Sequence, residues 1–256
     1  MRFTGSPIIV TGAGSGIGAR VASVCAEGGA RVVCADRDLA GAAAVAAACG
    51  GLAVEVDVTS MASVSAMAER CVAEFGGIAG LCTSAGISAY GTVVDLPLST
   101  WESVLAVNLT GTFHCARAVL PTMVAAGSGS IVTIASIAGM QGSALTSAYA
   151  ASKAGVIGLT RQMAVDFGPA GVRANVVCPG TVPTPLVLNG IRRKGAGSDE
   201  EVQANLAARV SKFPLRRLGT VDDIANVVAH LLSEEAAWVT GLVHPVDGGL
   251  TAAAWT

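Results

Sequence analysis

A tyrosine and a lysine four residues apart, in the run Tyr149-Ala150-Ala151-Ser152-Lys153 with Ser136 upstream, form the clearest chemical constellation in the chain. On a helix that spacing puts the phenol and the ammonium on one face. The chain holds only three lysines, so chance seldom produces the pair. An unperturbed phenol titrates near ~10, and a neighbouring cation favours the phenolate and lowers that value. A phenol tuned in this way can exchange a proton with an alcohol or a carbonyl at neutral pH. The non-chemical reading is a half-exposed helix face with Tyr and Lys side by side, and the rest of the sequence decides between the two.

The elements that must hold these groups show in an alternation of short apolar runs with longer helical patterns. Strands are predicted at Ile8–Thr11, Arg31–Asp36, Ala53–Val56, Leu81–Ser84, Ser130–Ala135, Val172–Cys178 and Leu242–Val246. Helices are predicted at Gly16–Glu27, Leu39–Ala48, Met61–Phe75, Ser147–Phe167 and Val221–Leu232, with a long one from about Thr100 to Ala126 opening at the N-cap-type Ser99. Strands hydrophobic on both faces, alternating with helices, imply an α/β fold: seven parallel strands, doubly wound, with helices on both faces. No linker or repeat divides the chain, so 1–256 is read as a single domain. One long interruption, from Pro179 to about Leu218, contains Pro183, Pro185, Gly195-Ala196-Gly197 and the basic cluster Arg192, Arg193, Lys194. It is read as a substrate loop over about 181–218, with the basic cluster as a solvated face.

Composition narrows the function classes. Hydrophobic residues make up 52% of the 256 and charged ones 13%, with 32 glycines, so helices and sheet should pack closely through Ala, Gly and Val. So little charge also suggests that other subunits cover part of the surface, a homo-oligomer. A net charge of −2 without a basic stripe gives no footprint for nucleic acid. No apolar run approaches ~18 residues, so no membrane span is expected, and no signal-type segment opens the chain. The seven cysteines are scattered and without a C-x-x-C pair, as in a reduced, cytoplasmic compartment. The three histidines lack ligand spacing, so no metal site is expected.

Thr11-Gly12-Ala13-Gly14-Ser15-Gly16-Ile17-Gly18 lies where the first strand turns into the first helix. Glycines there let backbone approach a pyrophosphate, which a helix N-terminus favours. The spacing is G-x-x-x-G-x-G, unlike the commoner G-x-G-x-x-G dinucleotide fingerprint. Asp36 ends the second strand, where an acid accepts hydrogen bonds from an adenosine ribose and repels a 2′-phosphate. Arg37 partly offsets that repulsion, while Ser15 supplies no second cation. NAD is therefore expected over NADP. Asp57-Val58 is placed at the adenine edge, although an Asp opening a turn fits as well.

Taken together these residues resemble the short-chain dehydrogenase/reductase family over essentially the whole chain. Gly12, Gly16 and Gly18 match its cofactor turn, and Asn108, Ser136, Tyr149 and Lys153 match its catalytic set. Pro179, Gly180, Thr181, Val182 and Thr184 resemble the segment that closes over the nicotinamide, and Val246-Asp247-Gly248-Gly249 a C-terminal signature. Where the family often has Asn-Asn-Ala-Gly, this chain has Thr83-Ser84-Ala85-Gly86, which keeps the cofactor-facing backbone and puts only the sheet-end hydrogen bonding in question. The resemblance implies a Rossmann domain and a homotetramer with the tail Leu250–Thr256 near an interface. It further implies that Lys153 holds the nicotinamide ribose and lowers the Tyr149 pKa. Ser136 would bond the substrate oxygen, and Asn108 would break regular helical bonding to seat a relay water.

The expected activity is hydride transfer between NAD(H) and a small to medium, largely apolar secondary alcohol or ketone, with Tyr149 as acid/base. Ser88, Tyr90, Met140, Gln141, Ser143, Val182 and Leu186 are the expected substrate wall. Two rival readings stay open: an NADPH-dependent β-ketoacyl thioester reductase, which Asp36 disfavours, and a catalytically silent dinucleotide sensor, which has no use for an intact acid/base set. A methyl-transferring cofactor would leave Tyr149 and Lys153 without a task.

Overall fold

The computed structural model describes residues 2–193, 195 and 197–253. Lys194 of the basic cluster, Ala196 and the last three residues of the tail lie outside the described residues. Seven strands form one all-parallel sheet in the order β3-β2-β1-β4-β5-β6-β7. They are β1 Pro7–Thr11, β2 Arg31–Asp36, β3 Leu52–Glu55, β4 Gly80–Thr83, β5 Gly129–Ile134, β6 Val172–Pro179 and β7 Val243–Val246. The predicted doubly wound sheet is present, with bounds shifted by a residue or so.

Strand alternation sends side chains to two apolar layers. Ile8, Val10, Val32 and Cys34 face one layer, against helices α1 (Gly16–Glu27) and α2 (Leu39–Cys49) and the late helix Val221–Leu232. Ile9, Val33 and Ala35 face the other, against α3 (Met61–Phe75) and two later helices, Gly111–Ala126 and Ser147–Phe167. Helices cover both faces of the central strands, which is why those strands read as continuous apolar runs. The six cysteines other than half-buried Cys49 are buried, as small hydrophobes should be.

The long helix predicted from Thr100 begins earlier and is not regular. Leu98–Leu105 (α4) starts after Pro97, so Ser99 lies inside the first turn and does not cap it; proline's fixed φ makes the entry instead. A five-residue π turn, Ala106–Thr110, then leads into α5 (Gly111–Ala126). After α6 (Ser147–Phe167), the stretch read as a long loop holds two helices, α7 (Pro185–Arg193) and α8 (Asp199–Val210). Pro185 opens α7, where its missing N–H costs nothing. Ser198 and Glu201 close a reciprocal capping box on α8. Ile191, Val202 and Leu206 then form a small core of their own. Helix α9 (Val221–Leu232) returns the chain to the sheet.

No helix among the described residues is long and apolar enough to cross a membrane.

Candidate active site

Strand order reverses between β1 and β4, so the crossovers leave a crevice at the carboxyl ends of the strands. A cleft of about 310 Å³ opens there. Its floor begins at the turn after β1, where Gly12 and Gly16 have φ of +69° and +56°, a conformation that suits glycine alone. A Cβ at Gly12 would also sit 2.6 Å from the Ala85 nitrogen. Gly18 does not line the cleft; a Cβ there would overlap the Gly12 carbonyl, so this glycine lets α1 seat against the turn.

Asp36 fixes the turn from the next strand. Its Oδ2 accepts the Gly14 N–H at 2.8 Å and its Oδ1 accepts the Asp38 N–H at 3.0 Å. The carboxylate is thereby held at the cleft wall beside Arg37. Asp57 also lines the cleft, yet its Oδ1 accepts both the Thr59 N–H and hydroxyl, which holds its carboxyl below the usual range. It opens the turn into α3 and borders the site at once.

At the other end of the cleft lie Ser136, Tyr149 and Lys153. Ser136 follows β5 and caps the short turn Ile137–Gly139, its Oγ accepting the Ala138 N–H at 3.1 Å. Lys153, on α6 one turn beyond Tyr149, is 5% exposed. It donates to the Ile134 carbonyl at 2.8 Å, with Nζ 5.7 Å from the Tyr149 ring centre. Burial lowers the ammonium to about 8. Burial also pushes the Tyr149 phenol up to about 12, against a hydrogen bond from Ser136 that pulls it down. The sequence predicts a phenol lowered by Lys153. Here burial is the largest influence on the phenol and the neighbouring Tyr90 adds to it, while Ser136 opposes them.

Behind this group Asn108 sits in the π turn, 1% exposed. Its Oδ1 accepts the Ile87 N–H at 2.8 Å, and its Nδ2 donates to the Ile87 carbonyl at 2.9 Å and to Ser152 Oγ at 3.0 Å. Ser152 in turn donates to the Tyr149 carbonyl at 2.8 Å. The side chain therefore ties the loop after β4 to α6. The irregular helix expected at this residue is present.

This geometry has known counterparts. A family profile described as enoyl-(acyl carrier protein) reductase, of the short-chain alcohol dehydrogenase type, matches residues 12–251. The chain belongs to the short-chain dehydrogenase/reductase family. It is 41% identical to 2-(S)-hydroxypropyl-CoM dehydrogenase 3 of Xanthobacter autotrophicus, over 98% of both chains. It is 41% identical to cis-4-hydroxycyclohexanecarboxylate dehydrogenase of Sinomonas cyclohexanicum, over 95% of this chain and 96% of that one. The crystal structure of levodione reductase superposes with a TM-score of 0.93 at 34% identity, covering 99% of this chain and all of that one. Relatives of this kind are secondary-alcohol dehydrogenases and ketoreductases, and dehydrogenases of the family use a nicotinamide dinucleotide.

Within the family frame the remaining sequence candidates sort cleanly. Ser15, Ile17, Val58, Ser84, Ala85, Gly86, Pro179, Gly180, Val182, Thr184 and Leu186 all line the cleft. Thr184 reaches over the turn, 3.3 Å from where a Gly16 Cβ would lie. Met140, Gln141 and Ser143 lie outside the cleft; Met140 is 41% exposed, because this stretch leaves the sheet end for the surface before α6. Ser88 and Tyr90 are half-buried and also lie outside it, against α7. Sequence reasoning missed Val56, Ile87, Val107, Ile134, Ala135, Pro185 and Val187 in the lining. Ile134 and Ala135 were findable, since ligands in such sheets meet the carboxyl ends of the strands. Ser152, adjacent to Lys153, gave no signal of its bond to Asn108. Among the described residues no group of three or more His, Cys, Asp or Glu could hold a metal ion.

Proposed function

We propose that the chain oxidises a secondary alcohol with NAD, and reduces the ketone with NADH in reverse, with Tyr149 as the acid/base and residues 1–256 serving as one catalytic domain. The observation that carries this reading is a single cleft with Asp36 at one end and Ser136, Tyr149 and Lys153 at the other. The residues present fit a dinucleotide: the glycine turn exposes backbone N–H groups at the start of α1, where a pyrophosphate is favoured. The clamped Asp36 carboxylate stands where ribose hydroxyls can donate to it and where a 2′-phosphate is repelled. The nicotinamide, when bound, gives or takes the hydride at the substrate carbon.

The chain's own residues supply position and the proton. Ser136 Oγ hydrogen-bonds the substrate oxygen and holds it beside the Tyr149 hydroxyl. In reduction the phenol, protonated at neutral pH, donates its proton to that oxygen; in oxidation the phenolate accepts it. Lys153, its charge fixed by the Ile134 carbonyl, favours the phenolate as it forms. Its remaining N–H groups are available to the nicotinamide ribose. Asn108 and Ser152 are positioning residues, holding the loop after β4 and the first turn of α6 in register.

Substrate choice is read more finely from relatives. The Sinomonas enzyme is named for a hydroxy carboxylate, which favours a second substrate class, alcohols bearing an acid, beside the neutral ones that the apolar wall suggests.

The test is to titrate NAD and NADP separately, then follow absorbance at 340 nm over secondary alcohols and ketones. NAD is expected to bind at least about 10-fold more tightly than NADP, with Asp36→Ala collapsing the ratio. NADPH-only reduction of acyl thioesters would overturn the assignment in favour of the β-ketoacyl reductase. Tight binding without turnover would favour the sensor.

A further inference from the structure

The basic cluster at the end of α7 has split roles. Arg192 is spent on Asp199, Nη2 to Oδ1 at 2.6 Å. Arg193 has no carboxylate partner among the described residues; its Nη1 instead donates to the Ser88 carbonyl at 3.0 Å. Arg193 stays solvent-exposed, as expected of this cluster, and the contact ties its head to the Ser88 carbonyl on the expected substrate wall. Beside it the Ser88 hydroxyl is buried without a hydrogen-bond partner among the described residues, a costly arrangement unless something bonds it.

Tyr90 joins this corner to the reacting centre. Its hydroxyl occupies the space a Cβ at Gly190 would fill, so α7 has a glycine where the tyrosine lies across it. The same phenol is near enough to Tyr149 to help raise its pKa. At the other end of α7, Leu186 and Val187 line the cleft. One helix thus presents apolar side chains to the cofactor site and, about 9 Å further along its axis, a guanidinium.

We propose that Arg193, with the Ser88 hydroxyl and Tyr90, forms a subsite for one anionic group at the far end of the substrate alcohol, a carboxylate or an oxyanion of similar shape. This rests on the dehydrogenase reading of the same site. A guanidinium has five N–H donors in a planar fork and spends one on Ser88, so it retains a pair for an oxyanion. Arg193 lies beyond the apolar end of α7 that lines the cleft, so the proposal puts the acid several bonds beyond the carbinol, and short 3-hydroxy acids fall short.

The experiment compares 3-hydroxybutanoate, 5-hydroxyhexanoate and 7-hydroxyoctanoate with their uncharged primary amides, as kcat/KM with NAD. At least one of the two longer acids is expected to beat its amide by about 10-fold or more. R193Q brings that ratio to within about twofold of unity, R193K keeps part of it, and R192Q keeps it whole, because Arg192 is already paired. Equal kcat/KM for acids and amides in the unmutated enzyme would overturn the subsite while leaving the dehydrogenase standing. So would an unchanged ratio in R193Q, or an equal collapse in R192Q, which would indicate only a general field. Turnover of no alcohol at all, acid or amide, would overturn both readings.

Discussion

Lys153 should destabilise the fold it serves, and the cost can be worked from the structure. The ammonium is 5% exposed, with one hydrogen bond, to the Ile134 carbonyl. An amine that titrates near 8 instead of 10.5 represents a penalty of about 3 kcal/mol for holding the charge in the fold, at about 1.4 kcal/mol per tenfold. Lys153→Met fills the same space without charge and leaves the Ile134 carbonyl short of a donor, at a cost of about 1 kcal/mol. The variant should therefore gain about 2 kcal/mol at pH 7, or roughly 4–8 °C in Tm for a chain of this length. The pH response has a definite sign. Below pH 8 the native state must keep a buried cation and the penalty is full. Between 8 and 10.5 the native lysine sheds its proton while the unfolded one keeps it, so the gap between variant and wild type closes and then reverses slightly. Guanidinium denaturation at pH 7, 9 and 10.5, at one protein concentration and without cofactor, reads this directly. A variant less stable at pH 7, or a gap that ignores pH, would refute the reasoning.

Two further outcomes are expected. Tyr149→Phe should lower kcat by at least about 1,000-fold while the NAD Kd, measured by fluorescence titration, stays within about threefold; retained turnover would remove the phenol from its role. With the phenol pushed up to about 12 and Lys153 lowered to about 8, kcat/KM for alcohol oxidation should climb from pH 6 to 8 as the phenolate fraction grows about tenfold per pH unit, then bend over as Lys153 loses its charge. Ketone reduction starts from the protonated phenol and should stay nearly level below pH 8; parallel profiles in the two directions would count against this assignment.

How far the sequence carries depends on the range of the forces involved. The glycine turn, Asp36 and the Tyr149–Lys153 pair were legible because each is a local demand: a positive φ, an acid at a strand end, one turn of helix. The strands were legible because burial on both faces leaves an unbroken apolar run. Helices α7 and α8 were not, since Pro183, Pro185 and the glycines around 195 read as breakers while Pro185 in fact starts a helix. The Ser198–Glu201 capping box was present in the sequence but masked by that context. The raised phenol depends on how much protein covers Tyr149, and the Asn108–Ser152–Tyr149 chain on residues brought together from α6 and the π turn. Neither can be read from spacing. The split between Arg192 and Arg193 is of the same kind: two adjacent cations look alike until tertiary structure assigns one to Asp199 and the other to Ser88.

The strand order has an evolutionary consequence. Everything to one side of β1 in the sheet, β2 and β3 with the Asp36 clamp, comes from the first quarter of the chain, whereas Ser136, Tyr149, Lys153 and α7 come from β5 onward on the opposite side. On the proposed reading, the acid that selects the dinucleotide and the residues that exchange the proton are thus encoded in separate stretches of gene. Substitutions in the two should combine additively, so a lineage can change what it oxidises without disturbing what it oxidises it with.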